Sequence, residues 1–453
     1  MKISHILGLN ARTQLFSYPH NKPIGKSRAT SKIASKKVLK KAGVPVPDIF
    51  AKFASLKKMV SFDWSKLPDA FALKPSRGLG GEGIIVIKRR AIDPVTKKKL
   101  RDVWITTNKK AVNSEDLRLH VQDILEGAYS IGNVPDAAFV EEYVGRHKAF
   151  RKYAFRGTPD IRIIVFNKVP VMAMLRLPTK ESKGRANLHQ GAIAVGVDVS
   201  TGITTRAFWK GEYITYKPET TRKLRGIKIP SWGKVLETAV KAGEAAELGY
   251  YGADVVLHPE KGPMILELNY QPGLSIQLAN GAGLRKRLER VEGLEVRNSE
   301  HGVRIGRSLF AANFADRVKA EDGIKTISAI EEIKIKGLKR KKQRKRAMAK
   351  IDTGAWRTSI NYSLAEELGL LQSDNILWSK RVRSSLGVEE RPIVSLVYFI
   401  KGRRITTAAS VAKRMSLKFP VIIGRKDLKG FLVNPEIALS EKLEKVERAK
   451  MLE

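Results

Sequence analysis

A chain of 453 residues, 43% of them apolar, can bury sizeable cores in more than one domain. No run approaches eighteen uninterrupted apolar residues, so no membrane span is expected, and the first ten residues lack the apolar stretch and cleavage pattern of a signal peptide. The absence of cysteine excludes disulfides and thiolate metal sites and makes a cytoplasmic setting the simplest expectation. The 85 basic against 45 acidic residues, a net charge of +40, attract polyanions, unless Lys is merely the default surface residue of a basic proteome.

Ser31–Ala42 has helical spacing and stops at Gly43, with Pro45 and Pro47 close behind. Phe71–Pro75 reads as a short strand entering a glycine-rich turn, and Gly83–Lys88 leaves that turn as another. Val86–Asn108 alternates strand-like and basic stretches, Ser114–Glu126 is helical, and Ala138–Val144 is β-rich. Asp160–Phe166 and Val169–Leu177 form a hairpin about Asn167-Lys168, and a helix over Trp232–Leu248 precedes strands at Tyr251–Leu257 and Pro263–Leu268. Intermingled helices, strands and hairpins predict a mixed α/β or α+β class. From Glu300 to about Gly323 the sequence reads as a connector of weak periodicity. Ile324–Val433 then holds the short β-branched runs of a small β-domain, and Glu436–Glu453 is a charged helical tail.

Four patterns carry chemistry. Lys74 precedes Ser76-Arg77-Gly78-Leu79-Gly80-Gly81-Glu82-Gly83 between two strands, a hairpin flap whose backbone N–H groups can fold over phosphates. The loop lacks G-K-[ST] and opens no helix, so it is neither a Walker loop nor a Rossmann turn, and glycine hairpins are commonly structural. Val140-Glu141-Glu142-Tyr143-Val144 sets acids at the end of a buried strand, where a carboxylate can bond the amino group of adenine; solvated acids on an edge strand are the bland counterpart. Asp160 and Arg162 share a strand face beside the hairpin that bears Arg176. Arginines aimed at one point stabilise phosphoryl transfer, although a structural Asp–Arg pair uses the same residues. The strongest pattern is Asp254 on one strand with Glu267 and Asn269 on the next, three hard oxygen ligands that suit Mg²⁺ on ATP phosphates rather than zinc. Leu257 and Leu266 flank them, so these acids lie inside the sheet and need a cation. Arg185-Ala186-Asn187 sits in a Gly- and Lys-rich loop within reach of phosphates or an acyl substrate, and the neighbouring His189 reads as a loop hydrogen-bonder.

Taken in order, strand Lys, glycine loop, V-E-E-Y-V, D-I-R, M-L-R, R-A-N-L-H-Q-G, G-A-D-V-V and L-E-L-N-Y-Q-P-G resemble the ATP-grasp ligases. The resemblance spans residues 7–290 and is closest to the RimK-related, alpha-L-glutamate-ligase-like branch. It implies an α+β ATP-grasp fold, two mixed α/β subdomains enclosing ATP, over residues 46–295, after a shortened N-terminal segment, 1–45. It further implies that Lys74, the loop glycines Gly80, Gly81 and Gly83, Arg185 and Asn187 contact ATP phosphates, that Glu142 and Tyr143 hold adenine, and that Asp160 belongs to the nucleotide site. Asp254, Glu267 and Asn269 would ligate two Mg²⁺, with Mn²⁺ as a substitute, while Arg162 and Arg176 steady an acyl-phosphate. The implied reaction activates a carboxylate with ATP and joins it to an amine, the partners being an amino-acid donor such as glutamate and a peptide or small-molecule acceptor. The shortening of the preceding α/β domain bears on how the acceptor surface is built.

Beyond a linker at 296–323, residues 324–435 look like a separate all-β domain, with the tail at 436–453. Ala349-Lys350-Ile351-Asp352-Thr353-Gly354-Ala355 and Val421-Ile422-Ile423-Gly424-Arg425 resemble retropepsin-like proteins of the RimB-like family labelled "ATP-dependent zinc protease". No His or Cys follows His301, so conventional zinc ligands are absent from that domain. Asp352 is its candidate catalytic carboxylate, and one D-T-G per chain implies a homodimer; a module for dimerisation or peptide capture is the alternative. The run Lys334–Arg346 holds nine Lys or Arg among thirteen residues and no aromatic. That composition does not indicate single-strand recognition and leaves a solvated hairpin tip or the capture of an acidic peptide or RNA. Two rival readings therefore stand beside the ligase: a dimeric peptidase with a nucleotide-sensing ATP-grasp half, and a basic protein binding nucleic acid or ribosomes.

Overall fold

The computed structural model describes residues 5–78, 80–310, 325–339, 344–384, 387–413 and 419–435. Leu79 of the glycine loop, 311–323 of the expected linker, 340–343 of the basic run and the expected tail at 436–453 lie outside the described residues. The chain divides into two compact units, one of Met1–Val197 with Gly202–Glu292, the other of Asp198–Thr201 with Gly293–Glu453. No helix among the described residues is long and apolar enough to cross a membrane.

The first unit holds two antiparallel sheets. One contains β1 (Ile49–Phe53), β2 (Phe71–Pro75), β3 (Ile85–Ile92), β4 (Lys99–Thr106), β5 (Ala111–Asn113) and β6 (Ala138–Glu142), in the order β1-β6-β2-β3-β4-β5. Its apolar face is covered by the helix Ser114–Leu125, which buries Leu117, Val121 and Ile124 at helical spacing. That helix starts with a capping box, the Asn113 side chain accepting from the Asp116 N–H while Asp116 accepts from the Asn113 N–H.

The other sheet contains β7 (Asp160–Phe166), β8 (Val169–Leu177), β9 (Ile193–Val197), β10 (Thr204–Trp209), β11 (Glu212–Ile214), β12 (Tyr250–His258) and β13 (Gly262–Asn269), in the order β11-β10-β9-β8-β7-β12-β13. Every residue of β8 is buried. Asn167 and Lys168, both at positive φ, close the β7–β8 hairpin as the sequence predicts. The helix Trp232–Ala246 packs against this sheet through Val235, Leu236, Ala239 and Val240. Upstream, three successive helical turns (Leu9–Ala11, the π-wound Arg12–Ser17, and Tyr18–His20) have no counterpart in the sequence reading. They fasten the loop that follows β13: Arg12 donates to the carbonyls of Gln271 and Pro272, and Ser17 to that of Tyr270.

In the second unit a short parallel pair, β14 (Lys325–Ile327) with β22 (Phe431–Val433), accompanies β15 (Ile330–Lys336), β16 (Arg344–Asp352), β17 (Ser359–Asn361), β18 (Ile376–Ser384), β19 (Gly387–Ile400), β20 (Arg403–Ala412) and β21 (Val421–Gly424). The order is β15-β16-β21-β17-β20-β19-β18, and an additional β15–β19 pairing closes the first six into a barrel. Its core includes Ile333, Ile335, Ile351, Leu396, Tyr398 and Ile423. Within the expected linker, Ser299–Leu309 is a helix capped by Asn298. The strand β21 lies between β16 and β17, parallel to the first and antiparallel to the second.

That crossing is tight at Gly424, where a Cβ would stand 2.5 Å from the Arg357 carbonyl carbon. Gly424→Ala is therefore expected to destabilise the barrel by about 1–3 kcal/mol, the range for overpacked sites, read as a lowered urea midpoint.

Candidate functional site

The first unit encloses a cavity of 710 Å³ lined by both of its sheets. The helix Lys32–Lys41, capped by Ser31, presents Lys32 and Lys36 one turn apart on the cavity side. Glu141 on β6 stands opposite Ala72 on β2, so the small alanine leaves room for its side chain. Lys36 lies 2.9 Å from Glu141, and Lys74 pairs with the same carboxylate. Lys36 and Glu141 are 2% and 1% exposed, so these charges are withdrawn from water. Burial pushes the Lys36 ammonium below its ordinary range. Burial alone would raise Glu141, but Lys36 and Lys74 hold it below the usual carboxylate range. Two ammoniums against one carboxylate leave this end of the cavity positive.

The glycine loop stands over that end and is anchored at both sides. Ser76 N–H donates to Ala137, Lys32 N–H to Ser76, and Arg77 N–H to Asp136 Oδ2. Gly80, Gly81 and Gly83 have φ of +64°, +81° and +67°, which glycine adopts without strain. His120 Nε2 donates to the Gly83 carbonyl and Asn187 Nδ2 to that of Gly80, at 2.8 and 2.9 Å. The 183–189 loop thus meets the glycine loop at the cavity, with exposed Arg185 lining it. His189 is a loop residue whose N–H donates to Asn187 Oδ1.

Val86, Val144, Val256 and Leu266 give the cavity an apolar portion beside Tyr143. The Glu142 carboxylate is engaged elsewhere: Lys261 lies 2.5 Å from it, His258 3.4 Å, and the Asp48 N–H donates to it. With three partners it keeps about one of a carboxylate's four lone-pair positions, and it lines the cavity beside Tyr143.

On the second sheet a charged ladder follows strand register. Asp160 is directly opposite Arg176, Arg162 opposite Asp254, and Asp254 opposite Glu267. Arg162 grips Asp254 with two bonds of 2.7 Å. Arg176 grips Asp160 at 2.5 and 2.6 Å and reaches Asp254 at 2.7 Å. Burial and the nearby Asp254 push Asp160 up, to about 6, although Arg176 opposes this. Burial would raise Asp254 too, but Arg162 and Arg176 hold it well below the usual carboxylate range.

This geometry bears on where a cation can be held. Asp254 already accepts three guanidinium bonds, leaving about one of a carboxylate's four lone-pair positions. Glu267 is 37% exposed and meets Lys32 only at 3.6 Å, and the Asn269 Oδ1 accepts from Gln271 N–H while lining the same cavity. Among the described residues no group of three or more His, Cys, Asp or Glu is arranged to hold a metal. Glu267 and Asn269 are the oxygen donors that would hold a hard cation such as Mg²⁺, which keeps few protein ligands.

The structure thus gathers Lys74, Gly80, Gly81, Glu142, Tyr143, Asp160, Arg162, Arg176, Arg185, Asn187, Asp254, Glu267 and Asn269 around one cavity, whereas Gly83 lies outside its lining. Sequence reasoning passed over Lys32 and Lys36, whose i, i+4 spacing is shared by any solvated lysine face, and named Glu141 within the V-E-E-Y-V run while giving the role to Glu142.

Asp352 belongs to the other unit. It ends β16, and its Oδ1 accepts from Gly354 and Ala355 N–H at 2.9 and 2.8 Å. Behind this turn Thr358 Oγ1 accepts from Gly424 N–H and donates to Asp427 at 2.5 Å. Burial pushes the Asp427 carboxyl above its ordinary value.

With fold and site in place, the class is defined: the chain belongs to the sugar-transfer associated ATP-grasp family, whose profile matches residues 12–293. Among solved structures, the ATP-grasp ligase PsnB in complex with a minimal precursor is 14% identical, covering 59% of this chain and 60% of that one, at a TM-score of 0.30. D-alanine–D-alanine ligase from Bacillus anthracis in complex with ATP is 14% identical over 67% and 71%, at 0.33. Protein Lpg0085 from Legionella pneumophila, of unknown function, is 17% identical over 26% of this chain and 97% of its own, at 0.18. Scores this low support no inference about this chain. No curated protein matches its sequence.

Asp254→Asn weakens the hold on buried Arg176 and half-buried Arg162 and is expected to destabilise the first unit by about 3–5 kcal/mol, whereas Glu267→Gln stays within about 0.5 kcal/mol of wild type; urea unfolding separates the two. Asp427, raised in the fold, stabilises fully below its unfolded value of 3.8, and that contribution is lost as pH rises through its folded value. The stability of wild type relative to Asp427→Asn should accordingly grow on acidification towards pH 4, measured by urea midpoints across a pH series.

Proposed function

We propose that the first unit is an ADP-forming carboxylate–amine ligase that works through an acyl-phosphate. The observation that carries this reading is a single cavity that brings together buried Lys36 on the helix Lys32–Lys41, half-buried Lys74 on β2 under the glycine loop, and Arg162, Arg176 and Glu267 on the second sheet. Lys36, Lys74 and the loop N–H groups bind and orient the phosphates of ATP. Tyr143 and the apolar wall receive the base. Arg162 and Arg176, fixed by Asp254 and Asp160, point preorganised guanidiniums at the place where charge gathers as the γ-phosphoryl group passes to the carboxylate. Glu267 and Asn269 would hold Mg²⁺, which supplies neutralisation of phosphate charge when bound. Attack by the amine nitrogen on the acyl carbon then expels phosphate and leaves the amide.

The finer reading, that the acid or amine is glutamate or a similar amino acid joined to a peptide or small acceptor, rests on the RimK-like motifs. The barrel is the retropepsin-like module of that reading, trimming or binding the product as a homodimer. A second reading, in which the barrel is itself a peptidase, is favoured by the Asp352 turn braced from β21.

ADP release with Mg-ATP is measured against single amino acids, each with peptide or sugar acceptors. Stimulated release that falls by about 10²–10³ in Glu267→Gln supports the ligase. Stimulation that survives in Glu267→Gln, or ATP binding without stimulation by any substrate pair, counts against it. Peptide cleavage abolished by Asp352→Asn would instead favour the peptidase.

A further inference from the structure

The barrel carries a charged face that strand register alone makes visible. Arg346 on β16 is directly opposite Lys334 on β15, Lys334 opposite Phe399 on β19, and Phe399 opposite Arg404 on β20. Two residues along, Lys336 is opposite Arg344. The alternating residues Ile333, Ile335, Tyr398 and Ile405 fill the barrel core, so this set points outward. All five cations are exposed and Phe399 is partly so. The Arg344 guanidinium lies over the Phe399 ring, 4.5 Å from its centroid.

Such a row has no structural rationale. Like charges directly opposite one another destabilise a sheet. Lysines do guard exposed edge strands against pairing, but β15 is paired on both sides, with β16 and β19. Glu332 offsets one charge, 3.7 Å from Arg346. Burial and the charge of Arg404 push the neighbouring Arg307 guanidinium below its ordinary range, a further sign of cationic crowding.

We propose that this face binds single-stranded nucleic acid, Lys334, Lys336, Arg346 and Arg404 meeting the phosphates and the Arg344–Phe399 stack receiving a base. The Arg344–Phe399 contact is what distinguishes this ligand from an acidic peptide: a base offers a π-face to a guanidinium held over an aromatic ring, and a carboxylate does not. The Arg344–Phe399 contact offers its surface to an unstacked base, which favours an unpaired strand. The basic run contains no aromatic of its own; β19, from further along the chain, supplies one at Phe399.

The full-length chain is titrated into fluorescein-labelled oligouridylate and oligothymidylate, and anisotropy is followed across a salt series. Lys334→Glu/Arg346→Glu is expected to weaken binding at least about tenfold and to lower the log–log salt slope by about 0.7 for each phosphate no longer neutralised. The neutral pair Lys334→Gln/Arg346→Gln, checked for an unchanged melting temperature, should weaken binding in the same direction. Phe399→Leu should weaken it about tenfold with the slope intact. ADP release should be unchanged in all three. Binding to either oligonucleotide with this pattern supports the proposal. Binding that ignores these variants overturns it, as does a silent Phe399→Leu combined with equal competition by polyglutamate, which would identify an acidic peptide as the ligand.

Discussion

Four paired charges on β7, β8 and β12, three of them buried and Arg162 half-buried, constrain the first unit more than any other feature. Arg176, Asp160, Arg162 and Asp254 balance in number, and each guanidinium is gripped at two points. Desolvating such ions costs several kcal/mol apiece, recovered only when geometry is close to ideal. The pairs are cross-strand neighbours, so they form only if three strands keep register residue by residue. A slip of one would turn every partner to the opposite face. The wholly buried β8 and the tight Asn167-Lys168 turn supply that register, and the site inherits its geometry from them.

The two sides of the cavity are consequently unlike. The ladder neutralises itself apart from Glu267, which is more exposed than its neighbours and only loosely met by Lys32. The opposite side keeps two ammoniums against one carboxylate in a place almost closed to water. Unbalanced buried charge is unfavourable on its own, and an anion on one side with a cation on the other relieves both. A polyphosphate with Mg²⁺ has that polarity.

Legibility in the sequence followed the range of the interaction. The β7–β8 hairpin was readable because near-continuous β-rich apolar runs flank the turn Asn167-Lys168, where both residues take positive φ. Asp254, Glu267 and Asn269 were readable from alternation along two adjacent strands. Lys36 was not, because on a helix rich in lysine it looks like any solvated cation; its burial depends on Glu141, 105 residues away, arriving beneath it on β6. Alternation separates Glu141 from Glu142 but does not say which face the cavity takes, and His258 and Lys261 meet Glu142 from the β12–β13 hairpin, which sequence order does not place there. The helix Ser299–Leu309 read as a connector because Gly302 and Gly306 interrupt its apolar stripe, yet both glycines are buried.

A net charge of +40 admits two explanations, a compositional bias or an anionic partner, and totals cannot separate them. Location can. A bias adds lysines where they are nearly free, singly and in water, where surface electrostatics contribute little. It does not explain Lys36, drawn out of water beside Lys74, nor Arg346, Lys334 and Arg404 aligned across four strands of a closed barrel with Phe399 among them. Those cations sit where a sheet or a core is weakened by their presence. Each such place, one in either unit, is therefore where an anion would change the free energy most, and the scattered surface lysines are where it would change least.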